Sequence, residues 1–307
     1  MTQKVFVTPR SFGKNSSVPL NLLKDQGYEI VMNPYNRILS KEEMITLIKD
    51  ANGIIVGVDP LDKEVLHHAK KLKVISKYGV GTDNIDMGFA RELGIPVTTT
   101  QGANQDAVAD YSIALMLGVS RRITHIDKEC RKLNWSKITT IDMWSKTLGL
   151  IGLGNIGKGV AGRAKGFNMK VLAYDLVKDE AYTAANGIEY VDFDTIIRES
   201  DFISMHLPLT EKTRNIISDR EFEMMKKTAV IVNTARGGLI DEEALYRSLK
   251  GNKIWGAGID VFEQEPPVQK ELLELDNLII GSHCAASTHG AIDNMGIQAS
   301  TNLIAAL

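Results

Sequence analysis

The chain is predicted to be an α/β protein built from two doubly wound parallel-sheet domains, and three observations carry that expectation. Strand and helix patterns alternate through the first hundred residues and again after Lys146. At 307 residues the chain exceeds the usual single domain, so two cores are expected. Where the second alternation begins, a short apolar run breaks into a glycine-rich turn that opens a helix.

In the first alternation, residues 5–8, 28–32, 53–58 and 73–77 read as strands, and 20–26, 41–50, 62–70 and 86–93 as helices. Gly27, Gly53 and Gly94 punctuate these elements, and Pro96 begins the exit. Residues 104–122 form the longest apolar helix pattern, apolar nearly all round after Tyr111, which predicts a buried spine connecting the two domains. Residues 123–145 are more polar and carry Trp135 and Trp144, aromatics of either a local core or a contact between two copies. After the glycine turn, strands are predicted at 201–206, 229–233, 254–260 and 278–280, with helices at 192–199, 219–225 and 242–250. The tail, 288–307, reads as a last helix expected to pack back on the first domain.

The organising stretch is residues 146–175, KTLGLIGLGNIGKGVAGRAKGFNMKVLAYD. Gly152 permits a tight turn out of the strand, Gly154 leaves room for a pyrophosphate against the backbone, and Gly157 lets helix and strand approach. The helix that opens at Asn155 and Ile156 then offers unpaired N–H groups to an anion. Asp175 ends the following strand, where an acceptor would take both hydroxyls of an adenosine ribose. A 2′-phosphate would meet that carboxylate, so NAD is expected over NADP. Taken alone, the turn also admits another adenosine ligand such as S-adenosylmethionine.

Composition narrows the class. Thirty-six basic and 38 acidic residues give a net charge of -2, and without a basic block the chain is not expected to bind nucleic acid. Cys130 and Cys284 fall in no metal-ligand spacing, which predicts reduced thiols in a cytoplasmic protein and no metal. The opening MTQKVFVTPR reads as a short strand followed by Pro9, and predicts neither a signal peptide nor a membrane span.

Ligands of such sheets bind beyond the carboxyl ends of the strands. Three consecutive predicted strands there lead to Arg236, Glu265 and His283. An arginine is a permanently charged fork for a carboxylate, and a histidine exchanges a hydroxyl proton near neutrality. A glutamate on the other ring nitrogen would fix the tautomer and favour the protonated ring. Each could be a turn cap, a loop acid or a satisfied polar residue by itself; beside a dinucleotide turn the three together predict a catalytic set.

Seven stretches give the chain a resemblance over nearly its full length: VISKYGVGTDNID, TTQGANQDAVAD, KTLGLIGLGNIGK, SMHLPLTEKTRNII, VNTARGGLIDEEAL, GAGIDVFEQEPP and SHCAAST. In order and spacing these are similar to the D-isomer-specific 2-hydroxyacid dehydrogenases, most closely to the short phosphoglycerate dehydrogenase branch. The resemblance implies a flavodoxin-like substrate domain, residues 1–100 completed by 287–307, and a Rossmann NAD domain, residues 101–286. It implies that Arg236, Glu265 and His283 are catalytic. His206, Pro208, Thr213, Thr234, Ala235 and Asp260 would join the glycine turn in holding NAD, with Asp260 on the nicotinamide carboxamide. Lys77, Tyr78, Val80, Gly81, Asn104 and Arg236 would bind substrate, Val80 and Gly81 through backbone N–H groups. A cytoplasmic homodimer built mainly on the NAD domain is implied as well.

The chain departs from the family in two places. Ser282 stands where many relatives have proline before the histidine, and the loop Gly57, Val58, Asp59, Pro60 lacks the arginine with which longer phosphoglycerate dehydrogenases grip the phosphate. Arg10, Lys14 and Lys77 are the cations that could replace it, or they are solvated surface charges. The chain ends at Leu307 without a regulatory domain, so feedback by serine through such a domain is not expected. The expected reaction is oxidation of D-3-phosphoglycerate with NAD in serine biosynthesis. The alternatives are reduction of glyoxylate or hydroxypyruvate, and a dinucleotide-sensing corepressor of the same architecture.

Overall fold

The computed structural model of the chain describes residues 2–307, and these divide into two compact units. One comprises the residues up to Asn104 together with Ser287–Leu307, the other Gln105–Ala286.

The first unit is a five-stranded sheet of β1 (Lys4–Val7), β2 (Glu29–Met32), β3 (Gly53–Val56), β4 (Val74–Lys77) and β5 (Val97–Thr99). Every pairing is parallel, in the order β2-β1-β3-β4-β5. The central strands β3 and β4 are buried throughout; β3 is the apolar run expected of a strand covered on both faces, whereas β4 ends in buried Ser76 and Lys77. One face packs Phe6, Ile54, Val56 and Ile75 against Met44, Ile48, Val65 and Leu66 of the flanking helices. The other packs Val5, Val7, Ile55 and Val74 against Phe12, Leu23, Ala299 and Leu303. The tail therefore does return to the first sheet, as the helix His289–Ala306, capped by Thr288, whose side chain accepts from the Ala291 N–H.

The second unit holds seven parallel strands: β6 (Thr147–Ile151), β7 (Lys170–Tyr174), β8 (Ile188–Tyr190), β9 (Phe202–Met205), β10 (Val230–Asn233), β11 (Gly256–Ile259) and β12 (Leu278–Ile280). Their order is β12-β11-β10-β9-β6-β7-β8, so the chain winds outward from β6 to β8 and then returns to β9 on the other side of β6. That reversal between β6 and β9 is the switch point at which such sheets open a crevice for ligand.

Two expectations are corrected. The apolar helix Gln105–Ser120 is no connecting spine; it lies within the second unit, where Ala109, Leu115, Met116 and Val119 pack with Leu148, Val160, Phe202 and Val230. Gly256 and Gly258 on β11 admit it, since a Cβ on either would come within 2.7 and 2.9 Å of Val119 and Leu115. The edge strands β5 and β8 are additional to the predicted set. Each is three residues long and only partly buried, so neither leaves an apolar run in the sequence.

Candidate active site

At the switch point, β6 ends in Ile151 and the backbone turns at Gly152 with φ +101°, a region that side chains disfavour. A Cβ there would lie 2.7 Å from the His206 carbonyl, and one on Gly157 2.3 Å from the Gly152 carbonyl. Any larger residue would thus wedge helix from strand. Gly154 differs, because a Cβ there would meet nothing within 4 Å. It projects into open space above the turn and is the N-cap of the helix Asn155–Ala164, with no side chain capping it. The first-turn N–H groups of Asn155, Ile156 and Gly157 have no intrahelical acceptor and point out of that end. Asp175, just beyond β7, accepts from Leu153 N–H at 2.7 Å with one oxygen and from Val177 N–H at 3.0 Å with the other. Each oxygen keeps a lone pair beside the turn for a hydroxyl. This cradle suits a dinucleotide: room at Gly154, donors at the helix end, an acceptor at β7.

The remaining residues predicted for NAD line the same strand ends. His206 follows β9, and both its ring nitrogens are buried without a hydrogen-bond partner; burial lowers its pKa to about 4. Pro208 and Thr213 share the next loop, Thr213 Oγ1 donating to the Pro208 carbonyl at 2.8 Å. Thr234 at the end of β10 is buried, its hydroxyl 2.9 Å from that of Ser112, and Ala235 N–H bonds Asn233 Oδ1 at 3.0 Å.

Arg236, Glu265 and His283 follow β10, β11 and β12, three neighbouring strands, and the structure brings them together. His283 Nδ1 lies 2.9 Å from Glu265 Oε2, while Glu265 Oε1 accepts from Phe262 N–H at 3.2 Å. Burial pushes the Glu265 carboxyl up, but the His283 hydrogen bond and charge, the Phe262 N–H and the Arg236 charge together hold it below the usual carboxylate range. With Nδ1 engaged, Nε2 is the ring nitrogen available to a substrate, on an imidazole 43% exposed. The Arg236 turn is drawn tight by Asn233, whose Nδ2 donates to the Arg236 carbonyl at 2.8 Å. It also presses on the Glu265 loop, since a Cβ on Gly237 would fall 2.0 Å from the Phe262 carbonyl.

Asp260 is almost fully buried and holds the histidine segment from below. Its carbonyl accepts from His283 N–H at 2.8 Å, and its carboxylate oxygens accept from Cys284 N–H at 3.0 Å and Ala285 N–H at 2.9 Å. His283 itself stands at φ +57°. The clamps by Asn233 and Asp260 escape sequence reasoning; a strand ending in an amide or acid is their only written trace.

In the first unit, β4 runs into a loop whose Gly79 has φ +125°. Among the described residues, the N–H groups of Val80 and Gly81 find no acceptor in the chain. Tyr78 is a packing residue, its ring edge-on to Phe12 and its hydroxyl donating to the Ile292 carbonyl at 2.9 Å. Lys77 is buried, its ammonium bonded to the Gly57 carbonyl and, at 3.0 Å, to Asn84 Oδ1. Asp59 is buried too, accepting from the Thr8 hydroxyl and, at 2.9 Å, from Leu39 N–H. Asn104 immediately precedes the helix Gln105–Ser120.

A parallel sheet with this cradle at its switch point, and an imidazole–carboxylate pair at its strand ends, defines a nicotinamide-dependent oxidoreductase. The family model described as D-isomer specific 2-hydroxyacid dehydrogenase, NAD binding domain, matches residues 113–285. The chain is 40% identical over 274 residues to a glyoxylate reductase of Korarchaeum cryptofilum, across 87% of this chain and 82% of that one. It is 44% identical over 257 residues to a D-3-phosphoglycerate dehydrogenase of Methanocaldococcus jannaschii, across 82% of this chain but only 49% of that longer protein. A crystal structure of D-lactate dehydrogenase from Aquifex aeolicus, complexed with NAD and lactic acid, superposes with a TM-score of 0.85 at 32% identity, over 98% of this chain and 94% of that one. The chain belongs to the D-isomer specific 2-hydroxyacid dehydrogenases, and its cofactor is NAD.

Proposed function

We propose that the protein reduces small, unphosphorylated 2-keto acids, glyoxylate to achiral glycolate or hydroxypyruvate to D-glycerate. The observation that carries this reading is the loop after β3: residues Gly57 to Pro60 include no cation, and Lys77, which follows in β4, is turned inward onto Gly57 and Asn84. A phosphate held by that loop alone would be desolvated without a charged partner, which is costly. Relatives that include a glyoxylate reductase favour the same choice over the 3-phosphoglycerate first expected.

NAD supplies the hydride acceptor for oxidation and, reduced, the donor for reduction. The chain's own residues do the rest. Arg236, beside Glu265, is the charge-assisted donor for a substrate carboxylate in the second unit, and in the first unit the N–H groups of Val80 and Gly81 are the donors offered to a carboxylate. His283 Nε2 gives its proton to the carbonyl oxygen in reduction and takes it back in oxidation. Glu265 keeps the ring oriented through Nδ1 and balances its charge while it is protonated. Asp175 and the turn at Gly152, Gly154 and Gly157 hold the adenosine and pyrophosphate.

A second reading, oxidation of 3-phosphoglycerate, is favoured by the phosphoglycerate dehydrogenase relative and by Arg10 and Lys14, both exposed in the turn after β1. NADH oxidation with glyoxylate, hydroxypyruvate and 3-phosphohydroxypyruvate separates the two. The first reading expects kcat/KM at least about tenfold higher for the unphosphorylated acids; the reverse order overturns it. Tight NADH binding with negligible turnover of all three would indicate a sensor instead.

The same reading includes a cytoplasmic homodimer. Leu133, Trp135 and Trp144 are 87%, 78% and 62% exposed, which suits an apolar surface covered by a second copy, and both cysteines are free thiols, as a reducing compartment maintains. Sedimentation equilibrium of the wild type and of Trp135→Lys tests the association.

A further inference from the structure

Lys77 is buried at the end of β4, at the root of the loop that carries Val80 and Gly81. A Cβ on Gly79 would lie 3.9 Å from its Cε, so the lysine stem passes beside that loop. The loop is pinned at two feet. At one, Gly79 and Thr100 exchange two bonds, Gly79 N–H to Thr100 Oγ1 at 2.8 Å and Thr100 N–H to the Gly79 carbonyl at 3.0 Å. At the other, Asn84 makes three bonds: its Nδ2 donates to the Gly57 and Asp59 carbonyls at 3.1 and 2.6 Å, and its Oδ1 accepts from Lys77. The Asn84 carbonyl also accepts from Leu61 N–H at 2.8 Å. Lys77 thus bonds both the exit of β3 and the far end of its own loop. Between the two feet, the amides of Val80 and Gly81 are left without acceptors among the described residues.

We propose that Lys77 is a positioning residue for substrate binding: its ammonium, held on Gly57 and Asn84, fixes the loop from Tyr78 to Asn84 so that the Val80 and Gly81 amides stand ready for a carboxylate. The lysine contacts no part of the substrate. Ordering these amides before binding removes an entropic cost that would otherwise weaken the complex, while leaving the hydride and proton transfers untouched. The inference rests on the reading that Val80 and Gly81 receive the substrate carboxylate.

The test compares wild type, Lys77→Met, which keeps the stem and removes the donors, and Asn84→Ala, which leaves the lysine and removes its loop partner. Steady-state reduction of glyoxylate and hydroxypyruvate is measured at saturating NADH, with NADH affinity and circular dichroism as checks on the fold. Both variants are expected to raise KM for both acids by the same factor, about tenfold or more, with kcat within about threefold and NADH affinity unchanged. A KM increase for hydroxypyruvate but not glyoxylate, or in Lys77→Met but not Asn84→Ala, means that Lys77 touches the substrate and overturns the proposal. So do kinetics identical to wild type in both variants. If Lys77→Met fails to fold, Asn84→Ala carries the test alone, and an unchanged KM there is a refutation. Oxalate binding to the NADH complex is measured in parallel. Should wild type reduce neither acid, the proposed reaction fails, while weaker oxalate binding in the variants still upholds the role of Lys77 and unchanged binding rejects it.

Discussion

Lowering the pH should destabilise the NAD-free protein through one imidazole, that of His206. Its ring nitrogens are buried beside the glycine turn without partners, and its pKa falls from 6.5 to about 4. The unfolded chain therefore takes up a proton near pH 6.5 that the folded chain refuses until about pH 4. Between those values the unfolded state binds more protons, so stability is lost as pH falls. At about 1.4 kcal/mol per pH unit the whole shift is worth roughly 3 kcal/mol, of which about 2 kcal/mol is spent by pH 5. For a domain of this size that corresponds to a drop in Tm of about 4–8 °C. The assay is thermal unfolding of wild type and His206→Asn at pH 7.5 and pH 5, a range above the titration of most carboxylates. Wild type should lose that much more than the variant, whatever the starting stability of each. Parallel losses would show that the His206 ring is accessible to protons in the folded state, and the reasoning from burial would fail.

Three further outcomes are expected. Gly154→Ala should leave Tm within a few degrees, because its Cβ meets nothing, yet weaken NADH binding by filling the pyrophosphate space; Gly157→Ala should cost about 1–3 kcal/mol of stability, since its Cβ strikes the Gly152 carbonyl. Calorimetry and NADH titration read the two effects separately, and equal stability losses would contradict the geometry. His283→Asn should lower turnover by roughly 10² to 10⁴ with NADH affinity intact, and unaffected turnover would remove it from the chemistry. Glu265→Gln should lower turnover by a smaller factor, roughly 10 to 100, because it disturbs the orientation of the ring rather than the proton-transferring atom; a loss as large as that of His283→Asn would assign the glutamate a more direct part.

The sheet and its switch point were legible because central parallel strands are covered on both faces and are written as mostly apolar runs, as β3, β9 and β10 are. The glycine turn was legible for a related reason: its backbone tolerates few other residues. Edge strands β5 and β8 face solvent in part and need no such run. Arg236, Glu265 and His283 could be anticipated from their places after consecutive strands. Lys77 reads in the sequence as an open charge at a strand end; nothing local tells that its ammonium bends back to Gly57 and Asn84, because that depends on two loops meeting in space. The helix Gln105–Ser120 was recognised as buried, but composition cannot say which sheet will cover it.

The anchoring of His283 by Asp260 has a consequence for how the site tolerates sequence drift. The histidine follows β12, a partly exposed edge strand of three residues, yet its backbone hangs from the almost fully buried acid beyond β11. The residue just before it is thereby relieved of setting the imidazole's place, and a flexible serine can stand at 282. Substitutions along this outer margin should accumulate without moving the acid–base group, whereas one change at the interior carboxylate would unmoor it.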